Sequence, residues 1–238
     1  MFDVISILNT QECSRVRGAI HDLRREWIMR GSPEHPFYTM GAASYIDATS
    51  FNATPRYSAV LAETNPLMRE HFSWLYARVM YALSVYLQAE VRTADELALP
   101  GFHIWCGREV PTTSLSIHFD LQYMSIPWPH VARSDRSRPL SFTLPIALPR
   151  EGGGLNSWDL SYEAHMAQVR AAGAAPTIEE MTRSRTKTFH PYTEGMLSLH
   201  SGHTVHQIAA VERAYPEDER ITLQGHGLCC DGVWTIYW

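Results

Sequence analysis

At 238 residues, the chain is long enough for one domain with a sizeable core, and its 45% hydrophobic and 19% charged residues exclude a disordered protein. A formal net charge of −5 at pH 7 argues against nucleic acid as the main partner. No stretch is apolar enough to cross a bilayer, so no membrane partner is expected.

The first hundred residues are expected to be mainly helical. The opening segment, residues 1–14, has no basic start and too short an apolar run for a signal peptide, which favours a cytoplasmic protein. A cap at Thr10 and apolar residues at helical spacing predict a helix over 10–30. Residues 31–64 are rich in Gly, Pro, Ser and Thr and are expected to be irregular. A long helix, packed along most of its length, is predicted over roughly 66–91.

After Pro100 the sequence changes to short β-like runs, many of them separated by turn-forming residues. The predicted strands lie at 102–106, 113–123, 139–148, 154–160, 195–200, 204–211, 219–227 and 233–238. Two helical stretches interrupt this series, at 161–171 and at 177–183. The change of pattern places helices first and strands second along the chain.

This order of elements predicts an α+β fold that is mainly β, with N-terminal helices packed on a jelly roll. We expect a single domain over residues 1–238. In it, residues 1–99 form a mainly helical support and cap. Residues 100–238 form the jelly-roll core, with a helical insertion at 161–185. Long loops at the rim of such a fold often carry specificity, so the insertion and the segment 31–64 are expected near the mouth of the site.

Motifs for several other kinds of site are missing. The cysteines are Cys13, Cys106, Cys229 and Cys230; no Cys-x-x-Cys pair occurs, which excludes a zinc ribbon. Nothing in their positions indicates an oxidising compartment. The glycine run at 152–154 lacks the lysine of a phosphate-binding loop and is expected to be a hairpin connection.

Candidate metal ligands occur in two strand-like segments. His118 and Asp120 lie two residues apart in LSIHFDLQY, and alternation in a strand sends both side chains to one face. His206 lies in the later segment SGHTVHQIA. Two imidazoles and one carboxylate leave open positions on a metal, as in non-haem Fe(II) oxygenases. Zinc is a competing metal for the same set of ligands.

The choice of the third ligand has two competitors, His200 and His203. We select His206 because it begins a hydrophobic strand and is best spaced from Arg220, in the run ERITLQ. His203 follows a glycine in a turn, where a solvated loop histidine is the simpler interpretation. The roles of His200 and His203 stay open.

The pattern His118-Phe119-Asp120, His206 and Arg220 resembles that of the Fe(II)- and 2-oxoglutarate-dependent dioxygenase superfamily, over roughly residues 100–230. The resemblance implies a double-stranded β-helix whose N-terminal helices brace one sheet. It implies that the two histidines and the aspartate hold Fe(II), with 2-oxoglutarate and O₂ as co-substrates. Arg220 would then pair with the distal carboxylate of 2-oxoglutarate, with Thr222 facing the same way. The alternative for Arg220 is a solvent-facing charge.

The resemblance also bears on the reaction. Related halogenases have Gly or Ala in place of the metal-binding carboxylate, so Asp120 favours hydroxylation or another oxidation over halogenation. The leading hypothesis is oxidation of an unactivated C–H bond in a small molecule, such as an amino acid or a biosynthetic intermediate. A cupin-like isomerase, lyase or hydrolase that does not use 2-oxoglutarate is the alternative, and a non-catalytic binding module is a third possibility. The oligomeric state is left open.

Three further residues are candidates for the walls of a substrate pocket. Trp105 precedes the metal-binding segment, and Gln122 continues the alternation of His118 and Asp120. Trp158 follows the glycine run. Packing in the hydrophobic core is the alternative for both tryptophans.

Overall fold

The computed structural model describes residues 2–48, 54–126, 134–171 and 177–238, with the backbone alone for 54–55. Its α-helices are α1 (Thr10–Asp22), α2 (Ser44–Asp47), α3 (Thr54–Leu87), α4 (Tyr162–Ala171) and α5 (Ile178–Thr182). Its strands are β1 (Phe2–Ser6), β2 (Ile28–Ser32), β3 (His35–Met40), β4 (Val91–Arg92), β5 (Gly101–Cys106), β6 (Ser134–Ala147), β7 (Gly154–Ser161), β8 (Lys187–Pro191), β9 (Met196–Ser201), β10 (Thr204–Ile208), β11 (Glu219–Cys230) and β12 (Val233–Tyr237).

The strands form two sheets of unequal size. A nine-stranded sheet has the order β1-β9-β6-β11-β5-β3-β2, with β12 paired to β11 and to β4. A three-stranded sheet has the order β10-β7-β8. Both sheets line one cavity, Thr143 and His226 from the large sheet and Leu155 and Ile208 from the small one. The predicted fold class is therefore confirmed: mainly β, with helices, and a jelly roll whose sheets do not close into a barrel in the described part of the chain.

The large sheet has an apolar face and a polar face. Alternate residues of each strand point to opposite sides. On β11, Ile221 and Leu223 pack in the core with the helices, whereas Arg220 and Thr222 point the other way. The helix–sheet core includes Val16, Ile20, Phe72, Leu75, Val79, Phe102, Ile104, Phe142, Leu144, Leu197 and Leu199. Helices α1 and α3 thus cover one face, and the other face is free to carry a site.

The helix predicted over 10–30 is too long. Helix α1 ends at Asp22, a short 3-10 turn follows at Arg24–Glu26, and β2 begins at Ile28. Trp27 fits helical spacing, but its indole N–H donates to the carbonyl of Ile20 at 3.0 Å after the chain has left the helix. Pairing of the β2–β3 hairpin with β5 outweighs the local helical pattern.

The long helix begins twelve residues earlier than predicted and ends at Leu87, short of position 91. Pro66, the predicted start, lies inside α3. The side chain of Asn65 holds this point of the helix, since its amide donates to the carbonyl of Leu97 at 2.9 Å and its oxygen accepts from the N–H of Leu99 at 3.0 Å. These long-range bonds stabilise the helical conformation at Pro66, although proline usually marks the boundary of a helix.

Other differences concern strands. The segment 113–123 is not a regular strand; it carries an isolated bridge from His118 to His206 and ends in a 3-10 turn. The N-terminal region, residues 1–99, contributes β1, β2, β3 and β4 to the large sheet, which the prediction of helical support omitted, and β8 was missed as well. Helices α4 and α5 confirm the predicted helical stretches. Residues 49–53 of the expected irregular segment and 172–176 of the insertion lie outside the described residues. No helix among the described residues has the length and apolarity required to span a membrane.

Candidate active site

The three predicted metal ligands converge. Ligand atoms of His118, Asp120 and His206 all lie within 4.8 Å of one another. The Nε2 atom of His206 is 3.3 Å from Oδ2 of Asp120, and that of His118 is 3.7 Å from Oδ1. Each imidazole donates from Nδ1 to a nearby carbonyl, that of Ser116 at 3.1 Å and that of Thr204 at 2.9 Å. This leaves both Nε2 atoms free for an ion, as in many histidine metal sites.

The protonation states suit a divalent cation. Burial lowers the pKa of His206 to about 3, so its imidazole is neutral near pH 7. Burial acts to raise the pKa of Asp120, but attraction to the surrounding imidazoles outweighs it and holds that pKa below its usual range. A neutral imidazole and an ionised carboxylate are the forms that bind metal.

Two further buried histidines lie beside the triad: His200, whose role the sequence left open, and His226, which the sequence prediction missed. His226 has Nδ1 3.8 Å from Oδ2 of Asp120 and 3.3 Å from the hydroxyl of Ser141. The ring of His200 lies 4.6 Å from that of His206. His226 could have been predicted from strand alternation. It lies an even number of residues after Arg220 on β11, so the two side chains point to the same face.

His203, by contrast, turns away from the triad. It is half-buried, and its Nε2 is 3.0 Å from the hydroxyl of Tyr123. Its ring also lies 5.2 Å from that of Tyr162. His203 was expected to be a solvated loop histidine. It instead contacts two tyrosines and is not among the residues that line the cavity.

Arg220 is buried without an acidic partner among the described residues. Its side chain belongs to a residue that is 2% exposed, which contradicts the alternative of a solvent-facing charge. In the described part of the chain, none of its guanidinium nitrogens has a hydrogen-bond partner. Burial lowers the pKa of Arg220, yet a guanidinium remains charged in proteins. A buried cation with free donors fits an anion supplied by a bound molecule.

Strand pairing shows which way Arg220 points. It is paired with Trp105 across β11 and β5, and Thr222 is paired with His103. Directly paired residues share a face of a sheet, and both Trp105 and His103 line the cavity. Thr222 is buried, with its hydroxyl 3.4 Å from the amide nitrogen of Gln224. The predicted co-substrate residues thus lie on the sheet face that carries the cavity.

The cavity between the sheets has a volume of about 800 Å³. Two of the predicted pocket residues, Trp105 and Gln122, line it, and so does Arg108. Gln122 does not reach the cavity by strand alternation, since it lies in a 3-10 turn. Its amide donates to Oδ1 of Asp120 at 3.1 Å, so it contacts a predicted metal ligand directly.

The prediction for Trp158 is wrong. Trp158 packs in an apolar cluster with Phe119, Leu160, Met181 and Val205 and does not line the cavity. The reason is alternation along β7. Position 155 faces the cavity, so position 158 falls on the opposite face, which α4 and α5 cover.

No protein-family profile and no curated protein matches the chain. Comparison of structures does find similar proteins, and they share the fold of 2-oxoglutarate-dependent oxygenases. One is an N-substituted L-amino acid dioxygenase from Burkholderia ambifaria AMMD in complex with alpha-ketoglutarate. Its TM-score is 0.54 at 16% sequence identity, over 100% of this chain and 86% of that chain.

Two further solved structures have similar scores. The non-heme alpha-ketoglutarate-dependent carbocyclase SnoK from nogalamycin biosynthesis has a TM-score of 0.54 at 14% identity, over 95% of this chain and 78% of that chain. EvdO2 from Micromonospora carbonacea var. aurantiaca has a TM-score of 0.52 at 16% identity, over 96% of this chain and 86% of that chain. At these identities the comparison establishes the fold, and function has to be argued from the site.

Proposed function

We propose that this chain is a non-haem Fe(II)- and 2-oxoglutarate-dependent oxygenase that oxidises a C–H bond of a small molecule, with hydroxylation as the leading outcome. Buried Arg220 carries the proposal. Its guanidinium has no hydrogen-bond partner in the described ranges of the chain. It lies on the same sheet face as the cavity that the His118, Asp120 and His206 cluster lines. A metal site that needs no dicarboxylate has no use for that cation, which argues against a cupin-like isomerase, lyase or hydrolase.

In the proposed enzyme each group has a separate role. His118, Asp120 and His206 hold Fe(II), which supplies the activation of O₂ when it is bound. Arg220 receives the distal carboxylate of 2-oxoglutarate in paired hydrogen bonds, and Thr222 offers a hydroxyl beside it. Arg220 and Thr222 are both buried, and a site with little water strengthens the attraction between the guanidinium and the carboxylate.

The cavity walls support a small substrate with an apolar part and an anionic end, such as an amino acid or a biosynthetic intermediate. Apolar walls include Phe37, Leu155 and Ile208. Arg108 also lines the cavity, and no carboxylate lies within ion-pair distance of it among the described residues. Its guanidinium is therefore available for a substrate carboxylate.

The location and organisation of the protein are proposals too. Its cysteines Cys13, Cys106, Cys229 and Cys230 are all free, which supports a reducing compartment such as the cytoplasm. Strands β1 to β4 belong to the same large sheet as β5, β6, β9 and β11, which supports one domain over residues 1–238.

The test is addition of Fe(II) and 2-oxoglutarate without oxygen, followed by assay with oxygen. We expect a weak visible charge-transfer band from the chelated 2-oxo acid, and succinate release that depends on 2-oxoglutarate. Asp120→Ala and His206→Ala should each reduce succinate release at least about a hundred-fold, because removal of a ligand costs more than removal of its hydrogen-bond partner. Normal turnover by these variants, or activity without any 2-oxo acid, contradicts the proposal.

A further inference from the structure

Two aromatic rings lie against the guanidinium of Arg220. Its Cζ atom lies over the ring of Trp105, 5.1 Å from the centroid, and 5.9 Å from the centroid of the Tyr192 ring. None of the ion pairs in the described residues involves Arg220. The cation is thus held where it lies by π faces, which attract a guanidinium most strongly when water is excluded.

Trp105 is itself fixed on several sides. The ring of Phe37, from β3, stacks on it with centroids 5.3 Å apart and an interplanar angle of 20°. The His103 ring meets it edge-on at 4.9 Å and 80°. Val110 and Val211 complete its apolar surroundings. Because β3 pairs with β5, the N-terminal hairpin supports the strand that carries Trp105.

This arrangement differs from an ion pair in one important respect. A carboxylate partner would accept the N–H groups of Arg220 and compete with an incoming anion. An aromatic face attracts the guanidinium through its quadrupole and accepts none of the in-plane N–H groups, which remain available at the edge of the fork. The ring therefore restrains the cation while leaving its donors free.

We propose that Trp105 is a positioning residue for the co-substrate: its ring holds the guanidinium of Arg220 in place for the distal carboxylate of 2-oxoglutarate. The inference rests on the proposed function, and it assigns to Trp105 a task other than that of a substrate wall. The N-terminal hairpin contributes indirectly, because Phe37 stacks on the Trp105 ring, which in turn contacts Arg220. Because the side chain of Arg220 is already ordered before 2-oxoglutarate binds, less conformational entropy is lost on binding.

The proposal predicts a selective loss of affinity. Trp105→Leu should weaken 2-oxoglutarate binding about ten-fold, the range that a desolvated cation–π contact covers. Binding of 2-oxobutyrate, which has the 2-oxo acid group and lacks the second carboxylate, should not change. Trp105→Phe keeps an aromatic face and should retain most of the affinity.

The experiment measures dissociation constants of the Fe(II)-loaded protein without oxygen, from the charge-transfer band, for both 2-oxo acids. Arg220→Met is measured alone and together with Trp105→Leu. If Trp105 acts through Arg220, the second substitution adds nothing once Arg220 is gone. Thermal unfolding of each variant checks that it is folded.

Three results would overturn the inference. Equal weakening of 2-oxoglutarate and 2-oxobutyrate means that Trp105 supports the cavity in general. Unchanged binding of both means that the stacking contact has no role in recognition. Additive effects in the double variant mean that the two residues act separately. A wild-type protein that binds 2-oxobutyrate and 2-oxoglutarate equally well refutes both this inference and the role of Arg220, whereas absence of any band refutes the proposed function itself.

Discussion

The backbones of His118 and His206 exchange a pair of hydrogen bonds: the N–H of His118 donates to the carbonyl of His206 at 3.0 Å, and the reverse bond measures 2.9 Å. The two residues are far apart in sequence, and this bridge joins an irregular segment to β10. Their rings lie 4.5 Å apart as a result. Backbone pairing therefore holds the two imidazoles close together.

Metal binding should consequently stabilise a fold that already exists. We expect the circular dichroism spectrum of the protein to be the same with Fe(II) or with EDTA. A metal concentration one hundred times the dissociation constant adds about 2.7 kcal/mol of stability, or roughly 5–10 °C in Tm for a chain of this size. Thermal unfolding with increasing Fe(II) measures the shift, and His206→Ala serves as the control without a complete site. Loss of secondary structure in EDTA would show that the ion organises the fold.

Gln122 should influence the affinity for metal although it is not a ligand. Its amide holds Oδ1 of Asp120 at 3.1 Å and so restricts the orientation of the carboxylate. Gln122→Leu should weaken Fe(II) binding about ten-fold, the usual effect of removing a group that orients a ligand. Titration with Fe(II) under anaerobic conditions measures this. Gln11→Leu, on the exposed side of α1, is the matched substitution and should leave the affinity unchanged; an equal loss in both variants would point to a general effect.

The sequence predicts much of the site because period-two alternation is a local property. On β11, Arg220 and Thr222 share a face in the strand pattern, and pairing with β5 keeps that relation in the structure. The same rule extends to His226, which the prediction did not include. The convergence of His118 with His206 was inferred from ligand chemistry and could not be derived from spacing alone.

The remaining errors arise where long-range contacts override local patterns. Gln122 lines the cavity as predicted, but strand alternation is not the reason. Its segment forms no regular strand, and the backbone bonds there go to isolated positions such as His206 and Gly202. Trp158 was expected at the pocket, but the face of β7 it occupies depends on how the small sheet is placed against the large one. Pro66 looked like a helix start, and contacts of Asn65 with the chain near position 98 decide otherwise.

Gly202 should be essential to the metal site for steric reasons. Its carbonyl accepts from the N–H of Asp120 at 2.9 Å, and a Cβ atom at Gly202 would lie 2.8 Å from the carbonyl oxygen of Asp120. Gly202→Ala therefore has to displace the backbone that carries this ligand, at a cost of about 1–3 kcal/mol. Both thermal stability and Fe(II) affinity should fall.

A glycine in open surroundings is the control for this substitution. Gly18 lies in α1, and a Cβ atom there has no atom of the described residues within 4 Å. Gly18→Ala should raise stability by about 0.8–1 kcal/mol, because alanine is the better helix former, and should leave Fe(II) affinity as it is. If Gly202→Ala behaves like Gly18→Ala, the close approach to Asp120 does not constrain the site.

The buried histidines should make the metal-free protein sensitive to acid. Burial lowers the pKa values of His103, His200 and His226 below their ordinary value of 6.5, and that of His206 to about 3. In the unfolded chain these rings titrate near 6.5, so below that pH the unfolded state binds more protons than the folded state. The free energy of unfolding must then decrease as the pH falls from about 7 toward 3.

The slope gives a quantitative test. Each histidine that stays neutral in the folded state contributes up to about 1.4 kcal/mol per pH unit below the pKa of the unfolded chain. Denaturant unfolding in EDTA between about pH 7 and pH 5 measures the slope, in a range above the ordinary pKa of carboxylates. His226→Asn should reduce the slope by the contribution of one histidine, up to about 1.4 kcal/mol per pH unit. A free energy of unfolding that stays constant over this range would mean that these rings take up protons without unfolding, and that the cavity between the sheets admits water and charge.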